Sequence, residues 1–310
     1  MQRTMRIATT PSMSGRTQAA AHQGLALTAL LLGAVCIGMS PIFVRVSEAG
    51  PTATAFWRVA LAVPVLWVLY GAWGRTSADS AAPAALPWRL FFGAAIAFAG
   101  DLGFWHISLK LTSVANSTLL ANLSAIFVTL AAWLFFGEKP TRLFVAGLVT
   151  AMAGVTMLVS TSMAFSSTAL LGDALGVVTA IFYAWYLFAA KGLRGRGVGT
   201  LRFMAITTTL TAVLLLPAAL ATGEQMLPVS DTGWLTLAGV AVISHAGGQG
   251  LIAYALAHLP TSFSSVSLLL QPVMAGVFAW VLLGEPLVAM QIAGGCVVLA
   301  GIYLSRKGSA

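Results

Sequence analysis

Two charged side chains stand where a charge is costly. Arg58 and Asp101 each fall inside a long apolar run, about seven and nine residues in from the ends that the topology below places on one face. At a rise of ~1.5 Å per residue these depths are roughly 10 and 14 Å. An ionised group that deep is paired, faces a watery interior or handles a solute. The two are expected to face inward and pair, directly or through water, either as a structural ion pair or as a gate and substrate contact. His245 lies near mid-depth of its own run. It offers a titratable relay for protons or, alternatively, a neutral ring hydrogen-bonded to a neighbouring helix. His106, nearer a helix end, reads as interfacial.

The uncharged candidates follow the same logic. Asn116, Asn122, Gln249, Ser264, Ser267 and Gln271 sit at comparable depth, where amides and hydroxyls either hold helices together or line a cavity. Asn122 and Gln271 occupy similar places in two different runs. The stretch FYAWY at 182–186 puts Tyr183, Trp185 and Tyr186 deeper than an interfacial aromatic belt. An aromatic wall for organic substrates is expected there, with Met39 and Trp57 as further candidates. Ser40-Pro41 interrupts a helical ladder, because proline has no N–H to donate; Pro41 is a hinge or a static bend.

Several chemistries are set aside. Ser40 with His106 or His245 would suggest an intramembrane hydrolase, but no G-x-S-x-G elbow accompanies them. No P-loop is present, so ATP is not the direct energy source. A channel would want a ring of like charges or a carbonyl filter. Cys36 and Cys296 lie singly in apolar runs, and neither a metal nor a cofactor is expected.

The elements that must position these residues are set by composition. Of 310 residues, 59% are apolar and 8% charged, against about 25% charged in a soluble domain. Ten apolar runs, near 25–47, 52–72, 88–109, 113–135, 142–161, 169–190, 200–221, 234–257, 262–283 and 287–305, are each about long enough to span a bilayer. Their continuous apolarity indicates helices, not the alternating strands of a barrel. Trp73, Trp88, Trp133, Trp234 and Trp280 read as the interfacial belt. Residues 1–23 are polar and basic and read as a cytoplasmic segment, without a cleaved signal peptide. Alternate loops hold thirteen Lys and Arg on one side against Arg45 and Lys110 on the other. Both termini are therefore expected in the cytoplasm. The formal charge of +8 is this topology signal and not a nucleic-acid patch.

An internal repeat organises the runs. WLFFGEKP at 133–140 answers to WVLLGEPL at 280–287, displaced by 147 residues. The same displacement superposes Gly147 on Gly294, Gly154 on Gly301, and AGDLG at 99–103 on AGGQG at 246–250. The glycines are read as packing residues, within the chain or between subunits. Glu138 and Glu285, each after a glycine, read as caps of the next helix. Two five-span halves, 24–162 and 163–310, must then run in opposite senses, as in many secondary transporters.

With FWR opening the second run, GE closing the fourth and ninth, and the 5+5 layout, the chain resembles the EamA-type drug/metabolite transporter family over residues 25–305. Within it, the general pattern is most similar to bacterial YddG-type amino-acid exporters. The resemblance implies an all-α fold of ten helices, a central cavity between inverted halves, and alternating access. Expected partners are a small-molecule substrate and the lipid bilayer, without nucleic acid. A mostly neutral interior argues against phosphates, which call for clustered Lys or Arg. Amino acids, including aromatic ones, or related amines fit an exporter of the bacterial inner membrane. A multidrug or other metabolite carrier of the same fold is the alternative. The repeat makes one topological demand. In a background lacking Cys36 and Cys296, Lys139→Cys and Pro286→Cys should be labelled from opposite sides of the membrane, and labelling of both from one side would eliminate the inverted repeat.

Overall fold

The structure, a computed structural model, describes residues 13–74, 85–112, 114–160 and 169–309. Among the described residues ten helices are long and apolar enough to cross a membrane: α1 (Gln23–Val46), α2 (Pro51–Trp73), α3 (Trp88–Leu111), α4 (Asn116–Phe136), α5 (Arg142–Val159), α6 (Ala169–Gly195), α7 (Thr200–Ala221), α8 (Asp231–Ala255), α9 (Thr261–Leu283) and α10 (Ala289–Gly308). No strand occurs among the described residues. The outward faces are apolar; Phe135 is 80% exposed and Leu235 72%. Such a surface is stable against hydrocarbon and not against water. The runs match their expected limits closely, except that α6 continues to Gly195. Its last turns are held by basic side chains: Lys191 Nζ donates to the Leu259 carbonyl at 2.9 Å, and Arg194 donates to the Val198 carbonyl.

The repeat is visible in backbone geometry. α4 ends at Gly137 with φ +70° and α9 at Gly284 with φ +69°, left-handed conformations that cost a Cβ-bearing residue energy. Beyond them, the Glu138 N–H donates to the Ala132 carbonyl (3.1 Å) and the Glu285 N–H to the Ala279 carbonyl (3.3 Å). Each pair is related by the 147-residue displacement. The two glutamates do not cap the following helices, contrary to expectation, because those helices start further on. Thr141 caps α5, its Oγ1 accepting from the Phe144 N–H at 3.1 Å, and Gln291 Oε1 accepts from the Val288 N–H at the start of α10. Thr141 also donates to the carbonyl of Gly308, at the far end of α10 from Glu285. A 20-residue helix is ~30 Å long, so Glu138 and Glu285 lie on opposite faces of the bundle.

Helices pack as repeat-related pairs. α3 lies against α6 as α8 lies against α1, and α5 crosses its own counterpart α10. The α5–α10 contact is made by the glycines of the repeat. A Cβ on Gly154 would fall 2.5 Å from the Val298 nitrogen, and one on Gly301 2.3 Å from the Ala151 nitrogen. Backbones approach this closely only without side chains between them.

Loops on the face carrying Arg45 and Glu285 fasten the halves together. Glu224, after α7, accepts from the Thr52 and Ala53 backbone N–H groups at the start of α2 and pairs with Lys110 at the end of α3. Glu48 accepts from the Val229 and Ser230 N–H groups and the Ser230 hydroxyl. These hydrogen bonds, Ser230 foremost, hold the Glu48 carboxyl below the usual carboxylate range. Trp57 Nε1 donates to the Met226 carbonyl at 2.7 Å.

The α5–α10 contact predicts a contrast between glycines. Gly154→Ala must displace backbone and should cost about 1–3 kcal/mol, seen as a lowered melting temperature in detergent. Gly71→Ala, where a Cβ meets nothing within 4 Å, should leave melting unchanged or slightly raised. Equal melting of the two variants would refute the backbone-contact account.

Candidate functional site

Besides a break in α2 at Leu61, three helices lose their regular ladder at mid-depth, and a further one widens. In α1, Pro41 lacks an N–H, and the chain closes i−3 hydrogen bonds instead, Met39 N–H to Cys36 O and Ile42 N–H to Met39 O. In α4 the break falls at Asn122–Leu123, where Asn122 Nδ2 donates back to the Thr118 carbonyl at 2.7 Å and competes with the ladder. In α9 it falls at Leu268–Leu269, just before Pro272. In α8, Val240–Gln249 is a π-helical stretch, a geometry that recurs at functional sites.

These irregular segments surround a cavity of about 120 Å³ between the halves. Ser40 and Pro41 reach it from α1, Arg58 from α2, Asp101 and Trp105 from α3, Thr118 and Asn122 from α4. Thr179 and Tyr183 come from α6, Gln249 from α8, and Gln271 and Pro272 from α9. Broken helices at a repeat interface are where such folds place binding sites. Pro41, Trp105, Thr118, Pro272 and Ala275 are shared with a second, larger chamber of about 560 Å³. That chamber runs to the face carrying Arg45 and Glu285, whose ion pair stands in its wall.

The cavity gathers buried polar atoms without protein partners. Arg58 Nε, Thr179 Oγ1, Tyr183 Oη and Gln249 Oε1 have none, although Arg58 is 4% exposed, Gln249 2% and Thr179 1%. An unmet buried polar group costs roughly 1–3 kcal/mol, so several in one place make this cavity the candidate site for a polar guest. Tyr183 Oη faces the Gln271 and Gln249 side chains without completing a hydrogen bond to either.

Eight of the expected residues therefore meet: Ser40, Pro41, Arg58, Asp101, Asn122, Tyr183, Gln249 and Gln271. The others do not. Trp185 is 46% exposed on the outside of the bundle, because two helical residues after Tyr183 points away from it. Tyr186 is core, its ring 4.6 Å from that of Phe98 and 6.2 Å from that of Phe203. His245 lies behind Phe98 (5.4 Å) and shares a 2.8 Å hydrogen bond between Nε2 and Thr208 Oγ1. This is the neighbouring-helix alternative, not a cavity relay. Trp57 is spent on Met226 and on an edge contact with Trp234 at 5.3 Å. Met39 supplies the backbone of the α1 break, not cavity wall. His106 is fully buried, not interfacial, its Nδ1–H donating to the Leu102 carbonyl.

Arg58 and Asp101 share the cavity but form no direct ion pair. Arg58 Nη1 donates to Ser40 Oγ at 2.9 Å, and the ion pairs among the described residues are Arg45–Glu285 and Lys110–Glu224. Similar depth did not fix the direction each side chain takes around its helix. Phe98, Leu102 and Trp105 were missed, yet Phe98 and Trp105 stand three and four residues from Asp101 and so share its helix face, and Leu102 is its immediate neighbour. Thr179 bears the same relation to Tyr183.

Comparison with known proteins is consistent with this architecture. The profile of the EamA-like transporter family matches residues 24–160 and again 170–306. An uncharacterized transporter of Archaeoglobus fulgidus is 29% identical, over 92% of this chain and 96% of that protein. A probable amino-acid metabolite efflux pump of Salmonella typhimurium is 28% identical, over 71% of this chain and 76% of that protein. A protein of known crystal structure superposes with a TM-score of 0.78 at 16% identity, covering 94% of this chain and 98% of its own. That likeness establishes the fold.

The geometry separates two neighbouring aromatic residues. Tyr183→Phe removes a polar atom from the cavity and should raise the half-saturation concentration for flux about tenfold, the equivalent of one hydrogen bond. Trp185→Ala, on the outer surface, should change it less than twofold. Equal effects in reconstituted vesicles would contradict the placement.

Proposed function

The chain belongs to the EamA-like transporter family, and from that premise we propose that it exports small organic metabolites, amino acids (including aromatic ones) or related amines, across the bacterial inner membrane. The reading is carried by one observation: a polar cavity enclosed by both halves and continuous with a chamber leading to one face. The basic residues cluster on the opposite face, so that chamber faces outward if the positive side is cytoplasmic. The name of the Salmonella relative, an amino-acid metabolite efflux pump, supports the substrate class.

Alternating access follows from the packing. α5 and α10 form a rigid pillar through their glycines. The α3–α6 and α8–α1 pairs carry most of the cavity wall, and tilting one against the other would close the outer chamber and open the inner side. Pro41, at a break in α1, is the proposed hinge. The Arg45–Glu285 pair joins α1 to the loop between α9 and α10, where it would hold one state of the outer gate. Each moving unit of this cycle combines helices from both halves, 24–162 and 163–310, with both termini in the cytoplasm.

Purified protein in liposomes loaded with labelled phenylalanine should show saturable efflux, accelerated by unlabelled amino acid outside. Linear, non-saturating flux would identify a channel. Absence of flux for every amino acid of a full panel would refute the proposal.

A further inference from the structure

We propose that Arg58 and Asp101 form a split clamp for a zwitterion, Arg58 holding the carboxylate and Asp101 the ammonium of an α-amino acid. The inference rests on the export reading above and assigns its polar contacts. Two opposite charges line one small cavity from different helices without bonding each other. A purely structural pair would be expected to close up, since separation leaves both ions incompletely compensated in a low-dielectric interior.

The guanidinium is oriented for a guest. Its Nη1 is fixed by Ser40 Oγ at 2.9 Å, and Ser40 is itself 2% exposed at the α1 break. That bond engages Nη1 and leaves the side edge, Nε with Nη2, on the other side of the guanidinium. Nε has no protein partner and lies on a side chain 4% exposed. A planar guanidinium edge with two parallel donors matches a carboxylate in bidentate fashion. Asp101 supplies the complementary anion, and Tyr183 Oη and Gln249 Oε1, both unpartnered, offer acceptors for the remaining ammonium protons.

Charge balance selects the ligand class. One positive and one negative protein group are both satisfied only by a guest carrying one of each. A simple amine leaves Arg58 without an anion, and a simple acid leaves Asp101 without a cation. Either guest strands a charge in the interior, which is how a site rejects it. Beyond the clamp the cavity continues past Trp105 and Pro272 toward the larger chamber, leaving space for side chains of varied size.

The test uses three probes that differ only in charge: phenylalanine, phenethylamine and 3-phenylpropionate, each competing for labelled amino-acid flux in proteoliposomes of the full-length protein. The unaltered protein should prefer phenylalanine at least tenfold over both analogues. Arg58→Met should abolish the preference over phenethylamine, and Asp101→Asn the preference over 3-phenylpropionate, so that each variant loses discrimination against a different probe. A general structural defect would weaken all three probes together. Equal competition by the three in the unaltered protein overturns the clamp even if neither variant folds, as does unchanged discrimination in both variants. In each case amino-acid flux itself persists, so the export reading stands. Absence of any amino-acid flux would instead refute the export reading and the clamp together.

Discussion

Hydrocarbon offers a peptide group nothing to bond, and that constraint shapes the whole molecule. A helix crossing the bilayer must close its own hydrogen bonds, so a departure from the ladder survives only where protein or a polar cavity meets the freed groups. Here α1, α4 and α9 break and α8 widens at similar depth, and these four, unlike α2 at its break at Leu61, bring residues of the irregular segment to one cavity. The backbone defects and the polar cavity therefore belong together. Placing either against lipid would leave unsatisfied N–H and C=O groups costing several kcal/mol each.

The cavity is surrounded by contacts of different hardness. On one flank α5 and α10 meet backbone to backbone, a contact with no flexible side chain to absorb movement. On the face with Arg45 and Glu285 the halves are joined by that exposed ion pair and by carboxylate-to-amide bonds of Glu48. Exposed pairs contribute little to stability, roughly 0–1 kcal/mol. They can therefore break and reform within a transport cycle without unfolding the bundle. In the proposed cycle the hard flank would keep the halves in register while the soft face yields.

Much of this was legible in the sequence, and the failures have physical causes. Span length and apolarity identify the ten crossings because the bilayer sets one length for all of them. The glycine displacement identifies the repeat because Gly, Trp and Glu in one register are not interchangeable with other residues. Depth is linear in sequence and was readable for Arg58, Asp101 and Gln249. Rotation about the helix axis was not, since it depends on which neighbour each face meets. Tyr183 and Trp185 differ by about 200° around an α-helix, and that arithmetic separates cavity from lipid once one of them is placed. The α4 break had no proline to announce it; only the bond from Asn122 back to Thr118 marks it. The π-helical stretch of α8 left no sign recognisable in a single sequence.

The glycine crossing also bears on how the two halves have aged. A Cβ on Gly154 would fall 2.8 Å from the Gly294 carbonyl oxygen, and one on Gly294 would fall 2.8 Å from the Gly154 carbonyl oxygen. Each position thus holds the other to glycine, and drift in α5 is checked by its repeat counterpart α10, although not by the equivalent residue, since the 147-residue displacement pairs Gly154 with Gly301. Where helices face lipid, any apolar side chain serves and the copies are free to diverge. The ancestral duplication stays readable at this crossing because the two copies are still each other's steric environment.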